Sequence, residues 1–201
     1  RGEVGRSAFA EAAYGFEGAS LRVIAEMAGV TPRSIRTWFG GKDDLWLACA
    51  LNIAVEADPI IERISHLSKQ SERSLANRLS DIVHSTAAFF QINPHVRDFI
   101  FRAISESPKR VEFIVDCIIF PAYEAGRPTI SESIEHDIVR CTHPAFFFVA
   151  MASAFSRSSL APVLFSRIAP EIPPNEINWR MTQAVRSMLL RDRATGAGRP
   201  D

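Results

Sequence analysis

Arg22, Arg33, Arg36 and Lys42, with the hydroxyls of Thr31, Ser34 and Thr37, fall between residues 22 and 42. Arginine presents a planar fork of donors and lysine a compact charge, and both hold phosphate oxygens. Hydroxyls bond phosphates or base edges. This is donor chemistry suited to a polyanion. Acid–base chemistry finds less support. His66, His84, His95, His136 and His143 are scattered. There is no HExxH, no nucleophile elbow and no phosphate-cradling glycine loop, so an enzyme lacks a convergent set of titratable groups. Cys49, Cys117 and Cys141 are odd in number and widely spaced, which reads as free thiols in a reducing cytoplasm. His136, Cys141 and His143 are ligand types without the closed spacing of a zinc site, and no metal or cofactor is expected.

The donors must be carried by helices. Residues 20–45 read SLRVIAEMAGVTPRSIRTWFGGKDDL. Leu21, Ile24 and Ala25 share one face, and Ala28 continues it. Gly29 breaks the helix, because glycine takes positive φ without a Cβ clash. Thr31 fits as the cap of a second helix and Pro32 as its first residue. Ile35 and Phe39 point inward. Arg33, Ser34, Arg36 and Thr37 remain outside. A support helix, a tight turn and a second helix with an outward polar face make a helix-turn-helix, which can enter the major groove. The plainer alternative is a helical hairpin on a surface.

Gly15-Phe16, Ser20 to Ala25, Ala28 to Thr31, Ile35, Phe39 and Lys42 to Leu45 together resemble the TetR family of bacterial transcriptional regulators, in order and spacing. The resemblance covers about 45 residues. It implies an all-α chain: an N-terminal three-helix head with the helix-turn-helix, followed by a larger helical body for ligand binding and dimerisation. The expected boundaries are 1–48 for the head, 49–194 for the body and 195–201 for a flexible tail. It also implies DNA contacts from Arg22, Thr31, Pro32, Arg33, Ser34, Arg36, Thr37, Trp38 and Lys42, with Arg22 and Lys42 at the backbone. The sequence departs from the family in three places. Arg36 stands where a phosphate-contacting tyrosine is common, Trp38 where a histidine is common, and Glu11 where the first helix usually carries an aromatic. Arg36 keeps the phosphate-binding capacity or reaches a base edge; Trp38 lies at a core boundary or beside the sugar-phosphate chain.

Charge does not advertise a nucleic-acid partner. The chain is neutral overall, and residues 1–60 carry six Lys or Arg against eight Asp or Glu. Attraction to DNA must therefore be local. Hydrophobic residues reach 47%, enough to form a sizeable core and to disfavour disorder. The longest apolar run, Ala145 to Ala152, is too short to span a membrane. No secretory pattern precedes the first helical stretch, so a cytoplasmic location is expected.

Helical periodicity places a first helix over 4–14, broken at Gly15, with Phe16 in the head core. A fourth helix opens at Lys42 with Asp43 and Asp44 at its positive end and runs toward Ala57, where Pro59 should end or kink it. Free backbone N–H groups at its start would help Lys42 meet a phosphate. Residues 60–73 read as a helical stub and loop. A long helix follows from Leu75 to Phe90, and another from Val96 to Ile104. A helix over 109–125 should be kinked by Pro121 and stopped by Gly126-Arg127-Pro128. The next should run over 132–156 with Pro144 as a bend. Residues 157–174 read as a connection with at most one helical turn, and a last helix spans 175–192.

Eleven of the fourteen phenylalanines lie between residues 89 and 165. They suit a packed core or the apolar wall of a pocket. His84, Phe89, Phe99, Ile114, Cys117, Phe120, Tyr123, His143, Phe147 and Met151 are the candidates for contact with a small, largely apolar effector. The resemblance implies a homodimer formed by the last two long helices and reading a palindromic double-stranded DNA operator. It further implies a repressor that the effector releases. The competing reading is a dimeric helical interaction module whose head has lost specific DNA binding.

Overall fold

The computed structural model describes residues 20–105, 107–156 and 161–190. The expected first helix over 4–14, Glu11, Gly15, Phe16 and the tail lie outside the described residues. Those described are almost wholly helical. In chain order the helices are α1 (Leu21–Ala28), α2 (Pro32–Phe39), α3 (Lys42–Ser68), α4 (Leu75–Ile92), α5 (Pro94–Ala103) and α6 (Pro108–Ile114). A π turn (Val115–Ile119) then leads into α7 (Phe120–Glu135), followed by α8 (Pro144–Ser156), α9 (Ala161–Ile168) and α10 (Pro174–Leu189). The described parts of 1–62 and 92–122 form one compact unit, and those of 63–91 and 123–201 form a second.

In the first unit, Ile24, Ala25, Ala28, Ile35, Leu45 and Ile53 are buried along α1, α2 and α3. Trp46 is the aromatic centre. It stacks on Phe99 of α5 at 5.9 Å and meets Phe113 of α6 edge-on at 5.8 Å. In the second unit, Leu79, Val83 and Ala87 of α4 pack with Ile130 of α7, Phe147, Met151 and Phe155 of α8, and Val185 of α10. Arg78 is almost fully buried here. One guanidinium nitrogen donates to Ser68 O at 3.0 Å, satisfying a carbonyl at the end of α3, and the other reaches Glu132 of α7 at 3.0 Å.

Several expected boundaries move. Pro59 does not end α3, which continues to Ser68. A proline in a helix removes one hydrogen bond, to the carbonyl four residues back. That residue, Val55, is 62% exposed and Pro59 itself is exposed, so water can serve the orphaned carbonyl. Gly126-Arg127-Pro128 does not stop α7 either. Gly126 is buried, and a Cβ there would stand 3.4 Å from Ile64 Cγ2 and 3.6 Å from Ile130 Cδ1. The glycine admits close packing by α3 rather than breaking a helix. Pro121 is accommodated by the π turn just before it, where Phe120 N–H donates to Val115 O, five residues back. Such widening relieves the clash between a proline ring and the preceding turn.

The true break falls at 136–143, inside the expected 132–156 helix. Asp137 adopts φ 56°, a left-handed geometry that aspartate tolerates better than most residues, and Ile138 N–H closes onto Ser133 O at 2.8 Å. Pro144 then starts α8 rather than bending it, with His143 Nδ1 accepting from Ala145 N–H at 3.2 Å. Residues 161–168 form a full two-turn helix where one turn at most was expected. The last helix ends at Leu189, and Leu190 bridges to Val139.

Replacing Gly126 by valine should cost about 1–3 kcal/mol through overpacking against Ile64 and Ile130. Chemical denaturation measures this. A variant as stable as the parent would show that the contact does not constrain α7.

Candidate nucleic-acid interface

The helix-turn-helix is built by local hydrogen bonds. Ser20 Oγ accepts from Val23 N–H at 3.3 Å and caps α1. Gly29, at φ 73°, closes α1 in a paired pattern: its N–H donates to Glu26 O, and Val30 N–H donates to Ala25 O at 2.9 Å. Thr31 Oγ1 accepts from Ser34 N–H at 3.1 Å and lies 2.9 Å from Ser34 Oγ. Pro32 occupies the first position of α2. Ile35 is 1% exposed and is the only residue of α2 buried to that degree.

The opposite surface of α2 is open. Thr31, Pro32, Arg33, Arg36 and Thr37 are exposed, Ser34 is half-buried and Trp38 is 51% exposed. Seven of the nine expected DNA-contacting residues lie in the segment 31–38, Lys42 is half-buried at the start of α3, and Arg22 is exposed in the first turn of α1. Thr37 Oγ1 donates to Arg33 O at 2.9 Å, so its hydroxyl is bound within the helix and retains acceptor capacity. Trp38 presents about half of its surface, which suits a boundary position better than a core one.

The turn into α3 adds constraints that the motif did not reveal. Gly40 takes φ 84°, and a Cβ there would come within 3.1 Å of Asp44 Oδ2. That carboxylate accepts from Gly41 N–H at 3.1 Å, one half of a capping box. Gly41 N–H is therefore not among the free groups expected to assist Lys42. Asp43 points outward and accepts from Arg110 Nη2 of α6 at 3.1 Å. The pair is separated by 67 residues, so no local pattern could have found it.

The effector candidates divide between the units. Phe99 and Ile114 are buried and Cys117 half-buried in the first; Phe120 there is 54% exposed. Phe147 and Met151 are buried in the core of the second, with His84, Phe89 and Tyr123 half-buried and His143 exposed. A small cleft in the second unit is lined instead by Ala87, Phe90, Gln91, Phe155, Met181 and Thr182, among others. None of the ten candidates lines it. Among the described residues no helix is long and apolar enough to cross a membrane, and no group of three His, Cys, Asp or Glu is arranged to hold a metal.

No family model and no curated protein matches the sequence. Solved structures do match the fold. The TetR-family transcriptional regulator PfmR from Thermus thermophilus superposes with a TM-score of 0.67 at 15% identity, over 98% of this chain and 96% of that one. HlyIIR, a hemolysin II transcriptional regulator, gives 0.66 at 16% identity over 95% and 96%. The transcriptional regulator FadR from Bacillus subtilis, solved with stearoyl-CoA, gives 0.64 at 12% over 93% and 97%.

Gly40→Ala should destabilise the turn by about 1–2 kcal/mol, since alanine pays for left-handed φ and meets Asp44. Urea unfolding of the variant checks the figure. An unchanged midpoint would mean that the turn relaxes at no cost.

Proposed function

We propose that this chain, which has the fold of TetR-family transcriptional regulators, is a DNA-binding regulator that acts as a homodimer. The observation that carries the reading is the outward face of α2: two arginines and three hydroxyl-bearing residues around a helix in which Ile35 is the one fully buried residue. Such a helix fits the major groove, with Arg33, Ser34 and Arg36 nearest the base edges. Thr31, Pro32, Thr37 and Trp38 flank the sugar-phosphate chain, and Arg22 and Lys42 meet phosphates. In this reading residues 1–48 bind DNA and 49–194 carry the effector and dimer surfaces.

One such helix buries too little surface for tight binding, and two copies about one turn apart answer that need with a palindromic operator. The dimer surface proposed here uses α8 and α10. Phe146 and Val149 on α8 and Trp179 and Met188 on α10 are each more than half exposed, which is costly unless another surface covers them. An effector that binds one arrangement of the body better than the other would shift α3 and lower operator affinity, giving a repressor released by its ligand. The abundance of phenylalanine in the body and the acyl-CoA held by FadR support a largely apolar effector.

Electrophoretic shift with duplexes from the gene's own upstream region tests the central reading. A folded dimer that shifts none of them would favour an interaction module instead. Arg36→Ala should weaken operator binding by about tenfold or more at fixed salt without changing thermal stability; equal affinity would remove Arg36 from the interface. Phe146→Glu combined with Trp179→Glu should yield folded monomers in sedimentation, with operator affinity lower by about tenfold or more. A dimer that persists would place the contact elsewhere.

A further inference from the structure

We propose that Arg110 is a positioning residue for the DNA interface: it holds the first turn of α3, and with it Lys42, in the orientation that meets phosphate. The inference rests on the DNA-binding reading above. Arg110 lies in the first turn of α6, yet its side chain is only 9% exposed. Its guanidinium carbon sits 5.0 Å from the Trp46 ring centroid, in cation–π range. Trp46 is itself fixed between Phe99 and Phe113. From that anchored position Nη2 reaches out to Asp43 Oδ1 at 3.1 Å, although the Asp43 side chain is 90% exposed.

An ion pair with one partner this exposed contributes little to folding stability. Its consequence is geometric. Asp43 and Trp46 are three residues apart on α3, so Arg110 grips two points of one helical turn. Lys42 is the neighbour of Asp43 in that turn. All four residues, Lys42, Asp43, Trp46 and Arg110, belong to the first unit. A shift of α6 would therefore be felt at a phosphate contact without any change in α2.

The test uses the full-length protein and a duplex selected by the wild type from random sequence, titrated over a range of salt. Four variants are compared: Lys42→Ala, Arg110→Met, Asp43→Asn, and Lys42→Ala with Arg110→Met. Each single variant should bind about three- to tenfold more weakly, and Lys42→Ala and Arg110→Met should each lower the salt slope by about one. The double variant should match Lys42→Ala within about twofold, because both changes remove one contact. Asp43→Asn is the sharper arm: loss of a negative charge alone would tighten binding, whereas loss of positioning weakens it. Multiplying effects in the double variant, or tighter binding by Asp43→Asn, would overturn the proposal. Should Arg110→Met fail to fold, the exposed Asp43→Asn decides by its sign. A wild type that selects no duplex would overturn the regulator reading as well, so the two failures are distinct.

Discussion

The eight residues of α2 are held in place by one fully buried side chain, Ile35, and by hydrogen bonds at the two ends of the helix. An isolated helix this short is marginal in water, because its nucleation cost is spread over few hydrogen bonds. Burying Ile35 returns about 1.5–3 kcal/mol. The Thr31 cap adds about 1 kcal/mol, and Pro32 enters with φ already restricted. The limited anchoring follows from this exposure: a helix that presents most of its circumference to solvent cannot also bury much of it. The rest of the head is arranged around that constraint. Ala25 and Ala28 are small and buried on α1, and Gly29 turns the chain sharply enough to bring α2 across them.

A second constraint acts where α2 hands over to α3. Gly40 and Gly41 leave room for the Asp44 carboxylate to close the helix start, and Asp43 is left to Arg110. The two adjacent acids thus have different tasks. One completes a cap within its own turn; the other ties that turn to α6. The aromatic contacts of Trp46 supply the apolar side of the same junction. An acidic head therefore does not mean free acidic surface at every position, and the net count of charges misjudges what a phosphate would encounter.

The helix-turn-helix was legible because its determinants are local. Ser20, Gly29 and Thr31 act through bonds spanning three to five residues and Pro32 through its restricted φ, and each falls where turn and cap chemistry puts it. The body was less legible, for physical reasons. Pro59, Gly126 and Pro128 signal helix ends locally, but two lie on exposed faces and the third serves packing against Ile64. The real end of α7 came from Asp137, which gives no stronger turn signal than many aspartates. Nothing local marks Arg78 and Arg110 for burial, since burial of a guanidinium depends on distant partners, Glu132 and Asp43. The apolar candidates for effector contact rest on residue type alone. Type does not separate a core phenylalanine such as Phe147 from an exposed one such as Phe120.

Neutral overall charge has a consequence for how such a molecule would discriminate among sequences. A strongly basic protein gains much of its affinity from any duplex through counterion release, and selectivity must then be won against that background. Here the cations at the candidate interface are few: Arg22, Arg33, Arg36 and Lys42, set among Asp43, Asp44 and Glu26. Sequence-independent attraction to a duplex would be correspondingly weak. In the proposed regulator, specific contacts by Arg33, Ser34 and Arg36 would then make up a larger share of the total, and a second copy would add its share through effective concentration rather than through charge. Affinity and selectivity would both depend on the spacing of two α2 helices, the quantity that the proposed effector would have to change.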